Sequence, residues 1–164
     1  PKKVEHTISP SMDIQVASNF ERLIFDICSL DSDKIIKLMD DLKNKNEFKL
    51  EKDEINKIRE DFYSESMSDN ETKLIINKIY NDEKILIDPH TAVGIGAIKK
   101  LSLENKTVVL STAHPSKFFE IVKEQTNTKP ELPEGLKNIL NKEEKYEVLP
   151  KDLKNIQNYI LQRV

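Results

Sequence analysis

The sequence contains very little glycine: Gly94, Gly96 and Gly135 are the only three in 164 residues. A loop that surrounds a phosphate group usually needs several glycines, so that backbone N–H groups can close on the anion. We therefore expect no main phosphate-binding loop in this chain. Gly94 and Gly96 lie in one predicted helical turn, where each costs about 1 kcal/mol relative to alanine. This pair predicts the close approach of a neighbouring backbone and not a nucleotide-binding motif.

Cysteine is almost absent as well, and metal-binding patterns are missing. Cys28 is the only cysteine, so the chain can form no intramolecular disulfide. It lies in an apolar run without basic neighbours, which predicts a buried, unreactive thiol. The three histidines, His6, His90 and His114, have spacings that match no metal-ligand pattern, so we predict no metal site.

Long apolar runs and an excess of one charge are also lacking. No stretch approaches the roughly 20 apolar residues that cross a bilayer, and no signal peptide opens the sequence. We therefore expect a cytoplasmic protein without a membrane partner. The net charge is only −3, and the lysines are interspersed with acidic residues, which argues against nucleic acid as a partner. The chain begins with Pro1 and not with methionine, so we expect that further chain precedes it.

Helical periodicity dominates the sequence. Ser18 or Asn19 is the predicted cap of the first helix, and a capping box formed by Ser68 and Glu71 begins another. Apolar residues at helical spacing, together with breakers, predict helices over 20–30, from 31 onward, over 51–62, from 68 onward, and over 91–101, 116–125, 134–141 and 151–162.

Two short apolar runs predict buried parallel strands. Residues 85–87 end at an Asp-Pro pair, and residues 107–111 are rich in β-branched side chains. With the helices that follow them, they give a β-α-β-α order. Two strands are too few for a complete sheet of about five or six, so the remaining strands must lie upstream or in another chain. The fold class predicted is α/β, with short parallel strands, flanking helices and a helical excursion over 31–83.

Three polar segments are candidate sites. Residues 88–91 and 111–115 follow the two predicted strands, and ligands of open α/β sheets bind beyond the carboxyl ends of strands. Residues 11–22 bring Ser, Asn and Arg to the start of a helix, where anions bind well. The alternative is that all three are ordinary turns, in which Thr91 and either Ser111 or Thr112 cap the following helices.

Taken together, these segments resemble one enzyme family. Ser11-Met12-Asp13-Ile14 with Ser18-Asn19-Phe20-Glu21-Arg22-Leu23, then Asp88-Pro89-His90-Thr91-Ala92-Val93-Gly94, then Ser111-Thr112-Ala113-His114-Pro115 with Lys117-Phe118, look like threonine synthase. The segments stand in that family's order and at plausible separations, and the resemblance covers about residues 4–160. One segment alone would be weak evidence, but three in order are specific.

The resemblance implies a fold-type-II pyridoxal-phosphate enzyme that converts O-phospho-L-homoserine and water to L-threonine and phosphate. In such enzymes the Schiff-base lysine and a glycine- and asparagine-rich phosphate loop lie in the N-terminal part. Neither is recognisable here. The whole chain, 1–164, is then expected to be the C-terminal half of the catalytic domain, inactive without its N-terminal half. Within it we distinguish the helical excursion at 31–83, a β-α-β-α core at 84–126 and a C-terminal loop with helices at 127–164.

The family pattern also suggests roles for individual side chains. A Ser or Thr hydroxyl after a late strand typically contacts the pyridine nitrogen of the cofactor, and Thr112 is the first choice here, with Ser111 second. His114 and Lys117 are expected to orient that turn.

The substrate candidates lie in the first of the three segments. Asn19 and Arg22, with Ser18, are expected to bind the phosphate or carboxylate of the substrate, because Arg presents a planar fork suited to either group. Two alternatives remain open at this stage. The chain could be a non-catalytic binding or scaffolding domain derived from such an enzyme. It could also belong to another pyridoxal-phosphate lyase that acts on a phosphorylated amino acid.

Overall fold

Helices form all the regular structure in the residues that the computed structural model describes, 4–103 and 106–164. The α-helices are α1 (Ser18–Ile27), α2 (Ser32–Lys45), α3 (Lys52–Asp61), α4 (Asp69–Glu83), α5 (Pro89–Lys100), α6 (Phe119–Thr126) and α7 (Leu153–Leu161). Short 3-10 helices span Pro10–Met12, Pro115–Phe118, Glu134–Leu136 and Ile139–Asn141. The predicted helix at 134–141 is thus two single 3-10 turns.

The chain divides after Pro130 into two compact units. The first unit contains α1 to α6 and every buried residue of the described chain. The second unit, Glu131–Val164, contains α7, and none of its residues is buried. At its end the Arg163 guanidinium lies 3.5 Å from the centre of the Tyr159 ring and pairs with Glu147.

One apolar cluster joins α1 to α2. Ile24, Cys28, Ile35 and Leu38 are buried together, and partly buried aromatic and aliphatic side chains pack around them. Their spacing along each helix is the helical repeat read from the sequence. Cys28 is only 8 % exposed, so the prediction of a buried thiol is confirmed.

A second cluster joins α4 to α5 and contains Ile76, Ile87 and Ala92. The capping box predicted before α4 is confirmed, because the Ser68 and Glu71 side chains each accept a hydrogen bond from the other residue's backbone. Helical periodicity also predicts that Ile36 and Leu74 lie on the apolar faces of α2 and α4, and both predictions are wrong. Ile36 of α2 is 60 % exposed and Leu74 of α4 is 68 % exposed, because each projects to the side away from its cluster.

Both glycines of α5 are closely approached, but by side chains and not by the neighbouring backbone that the sequence predicts. A methyl group added at Gly94 would lie 3.2 Å from Val109 Cγ1, and one added at Gly96 would overlap the Met67 side chain. The small residues therefore let the segments on either side of α5 pack against it.

The predicted strands are not present. The described residues, 4–103 and 106–164, contain no β-strand, so the β-α-β-α order is wrong for this structure, although α5 and α6 are where its helices were expected. A strand exists only when its backbone forms a ladder with a neighbouring strand, and no such ladder forms at residues 85–87 or 107–111. Val108 is 85 % exposed and Leu110 75 % exposed, so the side chains that indicated a buried strand remain open to solvent.

Two helix starts also differ from the prediction. The cap of α1 is Ala17, and neither Ser18 nor Asn19 caps it with its side chain. The Asn19 side chain instead accepts the adjacent N–H of Phe20 at 2.9 Å. Helix α5 begins at Pro89 and not at residue 91, because proline fits the first helical position and Asp88 caps the helix.

Candidate functional site

A buried carboxylate lies at the centre of the candidate site. Asp88 is 0 % exposed and caps α5. Its Oδ1 accepts the backbone N–H of His90 at 2.9 Å, and its Oδ2 accepts that of Thr91 at 3.4 Å. The Thr91 hydroxyl also donates to Oδ2, and His90 Nδ1 lies 2.9 Å from Oδ1. A carboxylate has about four acceptor positions, so the first turn of α5 occupies all of them.

His90 connects this carboxylate to a distant part of the chain. Its Nε2 accepts the backbone N–H of Ser11 at 3.2 Å, across 79 positions of sequence. Its ring lies 4.9 Å from the ring of Phe118, tilted by 59°. His90 is itself only 4 % exposed. From the segment 88–91, one buried imidazole therefore contacts the segment 11–22 at Ser11 and, at Phe118, the 3-10 helix that follows the segment 111–115.

The turn before α6 is closed by its own histidine. His114 Nδ1 accepts the backbone N–H of Ser116 at 3.2 Å, so the His114 side chain caps the 3-10 helix Pro115–Phe118. The same nitrogen lies 2.8 Å from the Ser116 hydroxyl. The expected role of His114 in orienting the turn fits this geometry. Lys117 lies beside Phe118, with Nζ 5.7 Å from the ring centre.

Ser111 and Thr112 are consequently not needed as helix caps. Both residues are exposed. The Ser111 hydroxyl lies 3.4 Å from that of Thr91, which links it to the buried Asp88 network. Thr112 makes no hydrogen bond to another described residue. The alternative reading of residues 111–112 as a cap is therefore wrong, and their hydroxyls are available to a ligand.

The substrate candidates line a different feature. Ser18 and Arg22 of α1 border an open groove of about 370 Å³ between α1 and α2, together with Glu21, Phe25, Ser32, Ile35 and Ile36. Asn19 is exposed but does not border this groove. Among the described residues, no hydrogen bond or ion pair joins Ser18, Asn19 or Arg22 to Ser111 or Thr112.

Sequence reasoning missed the residues that hold the first segment in place. Asp13 accepts the Thr7 backbone N–H at 2.8 Å and its hydroxyl at 2.7 Å, and these two bonds lower the pKa of Asp13. Asp69, at the start of α4, accepts the N–H of Ile8 at 3.1 Å. The central role of His90 was missed too, although the Asp-Pro-x-Thr pattern of a capped helix could have suggested the cap beside it.

The described residues were also searched for metal sites and for membrane-spanning helices. They contain no cluster of three or more His, Cys, Asp and Glu side chains that could hold a metal ion. No helix among them is both long enough and apolar enough to cross a membrane.

Comparison with known proteins gives a consistent answer. The sequence profile of the family "Threonine synthase, C-terminal" matches residues 91–160. A threonine synthase from Pseudomonas aeruginosa is 38 % identical over 95 % of this chain, and one from Saccharomyces cerevisiae is 33 % identical over 96 %. Over almost its whole length, the chain is therefore similar in sequence to part of these threonine synthases.

The solved structures agree with this assignment. A threonine synthase from Brucella melitensis, described as bound to PLP, superposes on 98 % of the chain with a TM-score of 0.83 and 33 % identity. The chain spans about a third of the relatives it matches: 34 % of the Pseudomonas protein and 35 % of the Brucella chain. The family match begins inside α5 and contains Ser111 and Thr112.

Proposed function

We propose that the chain is the C-terminal part of a cytoplasmic, pyridoxal-phosphate-dependent threonine synthase. The complete enzyme converts O-phospho-L-homoserine and water to L-threonine and phosphate. The observation that carries this proposal is the pair of exposed hydroxyls at Ser111 and Thr112. Ser111 lies at the edge of a buried polar network, and both residues lie within a region whose relatives are threonine synthases.

Exposed apolar side chains support a missing partner. Val108 and Leu110 are largely exposed, and so is Ile85 at 56 %. In the complete enzyme, residues 85–87 and 107–111 add as parallel strands to a sheet built from the N-terminal part, as in a fold-type-II large domain. The division into an excursion at 31–83, a core at 84–126 and a tail at 127–164 belongs to this proposal.

The residues present fit one edge of a cofactor site. Pyridoxal phosphate, when bound, supplies an electron sink for bond breaking at the substrate. The Thr112 hydroxyl, or that of Ser111, holds the pyridine nitrogen by a hydrogen bond. A hydroxyl in this position leaves that nitrogen largely unprotonated, whereas a carboxylate would protonate it. Since glycine is scarce, the cofactor phosphate is held by residues outside this chain.

The substrate end of the proposal rests on α1. Arg22 carries a guanidinium fork that matches the geometry of a phosphate or carboxylate, and it borders an open groove. Ser18, in the first turn of the same helix, adds a hydroxyl and a backbone N–H near the positive end of the helix dipole. We assign Arg22, Ser18 and Asn19 to binding of the substrate anion.

The test uses the complete enzyme with pyridoxal phosphate and O-phospho-L-homoserine. We expect phosphate and threonine to appear in equal amounts, measured by a phosphate assay and amino-acid chromatography. Release of phosphate with a different amino-acid product would favour another lyase. Absence of both turnover and a cofactor absorbance band would favour a non-catalytic domain.

A second measurement addresses the chain by itself. Without the Schiff-base lysine, the 164-residue chain should bind no cofactor at a unique position. Borohydride reduction followed by peptide mapping should then give scattered, substoichiometric labelling of surface lysines. Stoichiometric labelling of one lysine would contradict the proposal that the cofactor lysine lies elsewhere.

A further inference from the structure

We propose that His90 is a positioning residue that couples the cofactor side of the site to its substrate side. This inference rests on the proposed function, because it concerns the same site. The substrate candidates follow the turn at residues 9–13, and the cofactor candidates precede the turn at 114–118. His90 contacts both turns from one buried position, through the Ser11 backbone and the Phe118 ring.

The hydrogen bonds fix the state of the imidazole. The Ser11 backbone N–H can only donate, so Nε2 must present its lone pair. The ring proton then lies on Nδ1 and is donated to Asp88 Oδ1 at 2.9 Å. Asp88 thus sets the tautomer, and the tautomer makes Nε2 an acceptor for the distant turn.

The two ring nitrogens bond to residues at different distances along the chain. The Nδ1 contact stays within the first turn of α5, where Asp88 is also bonded to two backbone N–H groups and the Thr91 hydroxyl. The Nε2 contact is the hydrogen bond by which a side chain of α5 holds the 9–13 turn. Other hydrogen bonds of that turn are local: Asp13 and Ser9 bond to Thr7, and two backbone bonds close the turn itself. Just before the turn, the backbone N–H of Ile8 donates to Asp69 at the start of α4. Losing the Nε2 contact should therefore free the turn from α5 while leaving the cap of α5 in place.

Two substitutions separate these contacts in the complete enzyme. In His90→Asn, the shorter amide reaches the Nδ1 position and can still donate to Asp88, but the acceptor for Ser11 is lost. In His90→Gln, the longer amide oxygen reaches the Nε2 position and can still accept the Ser11 N–H. The pair is thus matched in chemistry and differs in which contact survives.

We expect His90→Asn to raise the KM for O-phospho-L-homoserine roughly three- to tenfold, the size expected for one lost hydrogen bond, with a smaller change in kcat. His90→Gln should keep KM within about twofold of wild type. Hydrogen exchange of peptides covering residues 9–17 gives a readout that needs no turnover. Exchange should be faster in His90→Asn and unchanged in His90→Gln, with equal protection of α4 in both.

Every outcome decides the matter. Wild-type KM and exchange in His90→Asn would overturn the coupling. Equal damage in both variants, or loss of folding in His90→Gln, would give His90 a purely structural role and also overturn it. If the wild-type enzyme forms no threonine, the proposed function fails separately, and the exchange measurement alone then supports or contradicts the link between the turn and α5.

Discussion

The start of α5 and the loop before α6 are adjacent, yet the polar side chains of the first are buried and those of the second are exposed. Asp88, His90 and Thr91 are buried and bonded to one another, whereas Ser111 and Thr112 are exposed. A single contact of 3.4 Å, between the Thr91 and Ser111 hydroxyls, joins the two groups. The difference indicates a division of labour between a rigid support and a surface that can meet a ligand.

Burial explains why the support is complete. A buried polar atom without a partner costs about 1–3 kcal/mol, so such groups are normally satisfied within the protein. Among the described residues that are not exposed, no buried side-chain nitrogen or oxygen lacks a hydrogen-bond partner. Exposed hydroxyls carry no such cost, because water can bond them until a ligand replaces it. Substitutions in the two regions should therefore affect different measurements.

The largest effect is expected for Asp88→Ala, which removes the centre of the support. It removes the cap of α5 and leaves the buried N–H groups of His90 and Thr91 without their acceptor. We expect a loss of about 2–4 kcal/mol in the free energy of unfolding, combining the cap with the unsatisfied donors. Urea unfolding followed by circular dichroism measures this. Asp26→Ala, at an exposed position of α1, is the control and should change stability little.

Thr112→Val is expected to show the reverse pattern in the complete enzyme. It keeps the shape of the side chain and removes the hydroxyl proposed to contact the pyridine nitrogen. Turnover should fall roughly tenfold to a hundredfold, which corresponds to about 1–3 kcal/mol, while stability stays near that of wild type. The cofactor should remain bound, since we propose that its lysine and phosphate site lie outside this chain.

Ser111→Ala is the matched variant for the same loop. Whichever substitution lowers turnover and shifts the absorbance of the cofactor identifies the residue in contact with it. Wild-type turnover and spectra in both variants would remove the loop from the site, although the structure gives it no capping role.

Glu54→Gln extends the comparison to a second buried polar group. The Lys34 ammonium, which donates to this carboxylate, holds the pKa of Glu54 below its ordinary value of 4.5. A lowered pKa stabilises the folded state above that ordinary value, and the contribution is lost as the pH falls through the folded-state pKa. We expect the substitution to lower the free energy of unfolding by about 1–2 kcal/mol at pH 7, because a neutral amide replaces the carboxylate that pairs with Lys34.

The pH dependence provides the check on that prediction. Between pH 6 and pH 3, wild type should lose more stability than Glu54→Gln, so the two unfolding curves should converge in acid. Parallel curves across this range would show that the Lys34–Glu54 pair contributes nothing measurable to folding. KM for the substrate should not change in this variant.

The smallest effect is expected for Glu71→Gln. The Lys100 ammonium and the backbone N–H of Ser68 lower the pKa of Glu71 to about 2. The pair is exposed, however, and solvent screens such pairs strongly. The change in unfolding midpoint should be smaller than for Glu54→Gln and should shrink further in high salt. Any stabilisation should disappear as the pH falls from 4.5 toward 2.

The helices and the family could be predicted from the sequence, since both depend on local patterns. Helical periodicity located α1 to α6, the Ser68–Glu71 capping box was correct, and three motifs in order identified the family. The prediction of the two strands was wrong for a physical reason. Apolar side chains indicate that a segment is suited to burial, but pairing needs a second backbone at about 4.8 Å.

The candidate site was predicted less completely than the helices. The sequence pointed to the segments at 11–22, 88–91 and 111–115 but could not say how they meet. The hydroxyls of Ser111 and Thr112 could be named from the motif. The sequence did not show, however, that the His114 side chain caps the following 3-10 helix in their place. Assignment of any of these side chains to a ligand remains a prediction.

By itself, the sequence determined which segments are helical, that Cys28 is buried, and which family the chain resembles, because periodicity and motifs are properties of neighbouring residues. The tertiary structure alone decided that His90 joins Ser11 to Asp88 and lies against Phe118. That contact spans 79 positions, and no local pattern encodes it. It forms because the packing of α5 buries an imidazole whose two nitrogens must each find a partner.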